Sequence, residues 1–129
     1  MSPLAAVFEG PGQPLSLRSF QDPCPGEGQA VVEISCCTLC GSDLHSIRGD
    51  RSVETPSILG HEMVGRISSL GGDLRDEAGV SLEVGDRVSW SLAASCGTCF
   101  YCRNSLPQKC ESLFKYGHQQ LSEGHPLSG

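Results

Sequence analysis

Two clusters of side chains in this sequence could do chemistry. In "SCGTCFYCRNSLPQKC", Cys96, Cys99, Cys102 and Cys110 follow C-x2-C-x2-C-x7-C. Two-residue gaps curl the backbone so that three thiolates converge, and a fourth returning from a short loop completes a tetrahedron. Such a set holds zinc in a closed, structural site with no position left for water or substrate. Gly97 is expected to relieve crowding at the first turn, and Pro107 to help the loop return. The competing chemistries are an iron–sulfur cluster, a disulfide pair and a thiol switch. The bacterial cluster pattern closes with a three-residue gap and Cys-Pro, whereas here seven residues separate the last two cysteines and Glu111 follows. Spacing favours zinc.

Upstream, "CTLCGSDLH" sets Cys40, Ser42, Asp43 and His45 at a strand-to-helix junction, and "ILGHEMVG" adds His61 and Glu62. A thiolate, an imidazole and a carboxylate from two segments make an incomplete metal shell, and catalytic zinc needs protein ligands plus an exchangeable position. Each residue also has a plain alternative. Cys40 fits a small buried hydrophobe like Cys36, His61 a hydrogen-bonded turn residue, and Glu62 a solvated carboxylate. The set argues for a site more strongly than any one member.

The elements that must position these clusters are short. "LAAVF" (4–8) and "PLSLRSF" (14–20) read as strands around a turn. In "QAVVEISCCTL" period-two alternation places Val32, Ile34 and Cys36 on one face and Val31, Glu33 and Ser35 on the other. "SDLHSIRG" (42–49) suits a helix of one or two turns, with Ser42 as N-cap and Gly49 as the stop. "EMVGRISSLG" (62–71) and, after a turn at Gly85 and Asp86, "RVSWSLA" read as further strands. The fold class expected is mostly β, a small twisted antiparallel assembly with short helices.

Bulk properties narrow the function. At 129 residues the chain is one domain long and has room for a core. Aromatic residues make up only 5%, so aliphatic side chains must carry the packing. A net charge of -6, with nine Lys and Arg that nowhere form a run, argues against a nucleic-acid surface. No stretch reaches the roughly 18 apolar residues of a membrane helix, and the N-terminus lacks a signal-peptide pattern. A cytoplasmic protein is expected, and a reducing compartment turns the cysteines toward metal or catalysis and away from disulfides.

In order, "CGSDLH", "LGHEMVG", "VGDRV" and the four-cysteine lobe resemble the N-terminal, GroES-like catalytic domain of zinc-dependent medium-chain alcohol dehydrogenases. The resemblance covers nearly the whole chain, 1–129, with the structural-zinc lobe at about 95–111, and implies a barrel-like GroES fold. It makes Cys40 and His61 ligands of a catalytic zinc, with Glu62 an adjacent carboxylate that ligates in some members or states. It makes Cys96, Cys99, Cys102 and Cys110 the structural-zinc ligands. Ser42 corresponds to the hydroxyl that bonds the substrate oxygen, and His45 to the outer end of a proton relay through the cofactor ribose. Asp43 corresponds to the carboxylate that orients the metal-binding histidine. The implied reaction is reversible oxidation of an alcohol to an aldehyde or ketone by NAD or NADP, with zinc as Lewis acid. A homo-oligomer is implied for the intact enzyme. The lobe region is also similar to a subgroup linked to phosphonate degradation, which points to a hydroxyalkyl-phosphonate-like substrate.

Family members bind the dinucleotide on a separate Rossmann domain entered by a glycine-rich turn. "GEGQAV" (26–31) is a partial glycine match that precedes a strand and belongs to a loop. The expectation is therefore an incomplete catalytic domain, truncated before the Rossmann domain and inactive alone. The alternative is a non-catalytic zinc-stabilised binding or scaffold module, which would have no need of Ser42, Asp43 and His45 beside its metal. Cys24, Cys36 and Cys37 carry no assigned chemistry, though Cys37 is close enough to Cys40 in sequence to be an oxidation partner. His118 and His125 are expected to be solvated.

Overall fold

Strands dominate the computed structural model, which describes residues 2–121. Strand β1 (Leu4–Val7) pairs antiparallel with β2 (Ser16–Ser19), Val7 facing Ser16. The second strand is shorter than expected over 14–20, in keeping with Pro14, which has no N–H to give a ladder. Strand β3 (Ala30–Thr38) leads into helix α1 (Gly41–Arg48), and β4 (Glu62–Leu70) pairs back on β3 and also with β5 (Arg87–Ser89). The expected strand "RVSWSLA" is split: β6 (Ala93–Ala94) leaves the β3-β4-β5 sheet and pairs with β7 (Phe114–Lys115). Between them lie helix α2 (Phe100–Arg103) and a single turn of tighter helix at Pro107–Lys109.

These strands form three separate antiparallel sheets, so the barrel-like outline does not close among the described residues. The alternation expected along β3 also fails. Register shifts fall between Val31 and Val32 and between Ile34 and Cys36, and each bulge resets which face a side chain takes. Val31 and Val32 are both half-buried, while Ile34 and Cys36 are exposed.

The core consists of Val7, Phe8, Met63, Ile67 and Cys110. Phe8 and Ser57 exchange both backbone hydrogen bonds, at 2.7 and 3.1 Å, and Leu121 N–H donates to the Pro56 carbonyl at 2.8 Å. Residues 56 and 57 thus tie the N-terminal strand to the segment that carries His118. No helix among the described residues is long and apolar enough to cross a membrane.

Candidate metal centres and active site

Helix α1 is capped by Cys40, not by Ser42 as the sequence suggested. The Cys40 Sγ accepts from the Ser42 N–H at 3.4 Å, and the Cys40 N–H donates to Asp43 Oδ2 at 2.9 Å. This is a capping box with a thiol in place of the usual hydroxyl, and the buried Asp43 closes it from the third helical position. At the other end Gly49, at φ 86°, sends its N–H to the His45 and Ser46 carbonyls.

His61 enters from the residue just before β4. Its Nε2 lies 3.3 Å from Cys40 Sγ, close to the roughly 3.6 Å that separates thiolate and imidazole ligands on a tetrahedral zinc. Its Nδ1 is buried, has no hydrogen-bond partner, and stands 3.6 Å from Asp43 Oδ1. Metal on Nε2 fixes the proton on Nδ1, where the carboxylate can draw it in. The orphaned nitrogen and the buried anion thus both fit a cation held between Cys40 and His61. Asp43 itself faces the other ring nitrogen, with Oδ1 accepting from Gly60 N–H at 3.3 Å.

Cys40, Asp43 and His61 offer ligand atoms within 4.8 Å of one another, and Glu62 is not in that group. The Glu62 carboxylate is exposed and accepts from Thr38 Oγ1 at 2.6 Å. Ser42 Oγ is 2.9 Å from Cys40 Sγ, directly beside the centre. His45 is exposed, with Nδ1 3.3 Å from Asp50 Oδ2. No hydrogen bond joins Ser42 to His45 among the described residues, so a proton passing between them needs an intermediary.

The lobe brings its four thiols within 4.8 Å of one another. Cys96 and Cys102 are 3.9 Å apart, against about 3.8 Å for two thiolates on one tetrahedral zinc. Backbone N–H groups aim at the sulfurs: Cys99 at Cys96 Sγ, and Cys96 and Ser112 at Cys110 Sγ, each at 3.3 Å. Hydrogen bonds from Thr98 and from the Cys99 N–H lower Cys96 to about 6, and those from the Cys102 and Glu111 N–H groups lower Cys99. Desolvation, with the neighbouring thiols, raises Cys102 to about 11. Without a cation the cluster cannot ionise fully, which suits a site completed by a divalent metal. Gly97 sits at φ 73° with nothing within 4 Å of a built Cβ, so backbone conformation, not crowding, explains it.

Three features escaped the sequence reading. His118 is half-buried, not solvated, and its ring centroid lies 4.8 Å from that of His61. Arg51 Nη1 is 3.1 Å from His118 Nε2. Gly60 (φ 102°) and Gly117 (φ 70°) bring the two histidine-bearing segments into backbone contact, and Cys37 Sγ packs under Gly60. None of these contacts follows a local spacing rule; His118 and Arg51 are 67 residues apart. His125 lies outside the described residues.

Residues 26–125 match the alcohol dehydrogenase GroES-like domain, and the chain belongs to that family. It is 35% identical over 120 residues to zinc-type alcohol dehydrogenase B of Aspergillus flavus, covering 91% of this chain and 26% of that protein. An alcohol dehydrogenase from Thermotoga maritima superposes with a TM-score of 0.84 at 36% identity, over 98% of this chain and 35% of the other. One from Escherichia coli CFT073, complexed with NADH, gives 0.72 at 32% identity, over 91% and 33%. The chain thus spans between a quarter and about a third of the length of these proteins.

Proposed function

We propose that the chain forms the N-terminal part of the catalytic domain of a zinc-dependent alcohol dehydrogenase interconverting an alcohol and an aldehyde or ketone with NAD or NADP. The observation that carries this is Cys40 Sγ set 3.3 Å from His61 Nε2, with Ser42 Oγ 2.9 Å from the same sulfur. Zinc held by Cys40 and His61 would supply Lewis acidity to the substrate oxygen. Asp43 places negative charge 3.6 Å from His61 Nδ1, which favours the proton on that nitrogen and leaves Nε2, facing Cys40, for the metal. Ser42 Oγ is the hydroxyl nearest the centre; it accepts the substrate's proton, and His45, exposed to solvent, receives it through a bridging molecule. Glu62 is the carboxylate that could approach the metal in another state. Cys96, Cys99, Cys102 and Cys110 would hold a second zinc, with a structural role.

The residues described do not fit a dinucleotide. The turns leading into α1 and α2 carry thiols with one glycine each, Gly41 and Gly97, where a pyrophosphate needs a glycine-rich turn. NAD or NADP would be held elsewhere in a longer protein. A cytoplasmic setting is part of this reading, in keeping with cysteines gathered into metal-ligand spacing. A small-molecule substrate, a homo-oligomeric state, and no nucleic-acid or membrane partner complete the reading, supported by the family resemblance and by the acidic charge of -6.

The test is metal analysis of the protein beside Cys40→Ser. Two zinc equivalents falling to one support the reading; one equivalent in both proteins, held by the lobe, would favour a scaffold instead.

A further inference from the structure

A metal-binding imidazole is ordinarily held in its plane by a hydrogen bond from its other ring nitrogen. His61 lacks that bond. Its Nδ1 is buried without a hydrogen-bond partner, and Asp43 Oδ1 stands 3.6 Å away, near enough to attract the proton but too far to fix the ring. Another contact must set the plane in which Nε2 meets Cys40.

The ring packed against His61 is that of His118, with centroids 4.8 Å apart and planes inclined by 50°. His118 is pinned at both nitrogens. Nδ1 lies 2.9 Å from the Tyr116 carbonyl, which only accepts, so that nitrogen carries the proton. Nε2 is then the acceptor, and it receives Arg51 Nη1–H at 3.1 Å. Two bonds from one ring fix its tilt and oppose its flipping.

Arg51 is tied in turn to the helix that Cys40 caps. Its N–H donates to the His45 carbonyl at 3.3 Å, and the Asp50 N–H donates to the same carbonyl at 2.9 Å, just past the α1 stop at Gly49. The contacts therefore close on themselves: Cys40 begins α1, Arg51 leaves its far end, and His118 and His61 lead back to Cys40. We propose that His118 is a positioning residue for the metal ligand His61 and that Arg51 latches it, so that this pair sets metal affinity and ligand geometry at the Cys40–His61 centre. The inference rests on the metal centre of the reading above and is independent of the reaction carried out there.

The experiment loads the chain with cobalt and follows its visible absorption in competition with a chelator. Bands lost in Cys40→Ser belong to the centre, and the remainder belong to the lobe. Arg51 is exposed, so Arg51→Met removes the latch without opening the core. It should weaken cobalt at the centre by about tenfold and shift those bands, while the lobe keeps its bands and affinity. Coulomb repulsion alone predicts the reverse, since removing a nearby cation should tighten metal binding. His118→Phe keeps a ring against His61 and gives up both hydrogen bonds; it should cost a similar factor, and combining it with Arg51→Met should add no further loss. Arg75→Met, whose guanidinium bonds to Gly79 and Asp73 of its own loop, should leave both sites unchanged.

Unchanged or tighter cobalt at the centre in Arg51→Met overturns the proposal while leaving the centre standing. Losses that multiply in the double variant overturn it as well, because Arg51 would then not act through His118. Equal weakening at centre and lobe would mark a general loss of structure and overturn it too. If Cys40→Ser removes no bands, the centre itself fails, and the proposed function with it.

Discussion

Gly117 lies against Gly60 so closely that a Cβ on Gly117 would stand 2.3 Å from the Gly60 carbonyl oxygen. Backbone meets backbone there, one residue before each of the two histidines whose rings meet at 50°, so neither side can yield alone. Gly117→Ala should therefore cost more than its left-handed φ of 70° requires. Gly12 is the control: φ is 75° and nothing lies within 4 Å of its Cβ. Gly12→Ala should lose roughly 1–2 kcal/mol, and Gly117→Ala clearly more, by denaturant unfolding of both variants. Equal losses would show that the contact carries no weight.

Asp43→Asn keeps the shape of the side chain and removes its charge. One of the two backbone donors that Asp43 now satisfies, Cys40 N–H and Gly60 N–H, would then face an amide nitrogen. A stability loss of about 1–3 kcal/mol follows from that unmet bond. Zinc affinity at Cys40 and His61 should fall by about 10–100-fold, measured by competition with a chromophoric chelator. Affinity at the lobe should not change.

In metal-free protein the lobe thiols should react unequally. Cys96, lowered to about 6, is thiolate at neutral pH, whereas Cys102, raised to about 11, stays protonated. Iodoacetamide at pH 7 should label Cys96 well before Cys102, and labelling of Cys96 should slow as pH drops through about 6. Zinc should protect both. Mass spectrometry of timed digests reads the order directly.

Phe8 is 1% exposed and is bridged through its backbone to Ser57. Phe8→Ala should destabilise the protein by about 3–5 kcal/mol. Because the Ser57 segment also pairs with Gln120, amide exchange should rise near His118 as well as near the N-terminus.

What could be read from the sequence was what short spacing controls. The lobe cysteines, the helix at 41–48 and the strand at 62–70 follow from local periodicity and gap lengths. The Cys40 cap was missed because a thiol is a rare cap, and only the reach of Asp43 back to the Cys40 N–H shows it. The faces of β3 were misassigned because a bulge at Ser35 has no strong sequence signal. Arg51 and His118 were out of reach for a different reason: their meeting depends on residues 55–57 lying between the N-terminal strand and residues 120–121, a long-range arrangement no local pattern encodes.

The cap on α1 has a practical use. The amide of Ser42 donates to the same sulfur that is placed to hold the metal, so its proton shares the fate of that thiol. When the sulfur is a metal-bound thiolate the hydrogen bond is charge-assisted, and when it is a free thiol the bond weakens. Exchange of this single backbone hydrogen therefore becomes an internal gauge of occupancy at the Cys40–His61 centre, readable without substrate, cofactor or turnover.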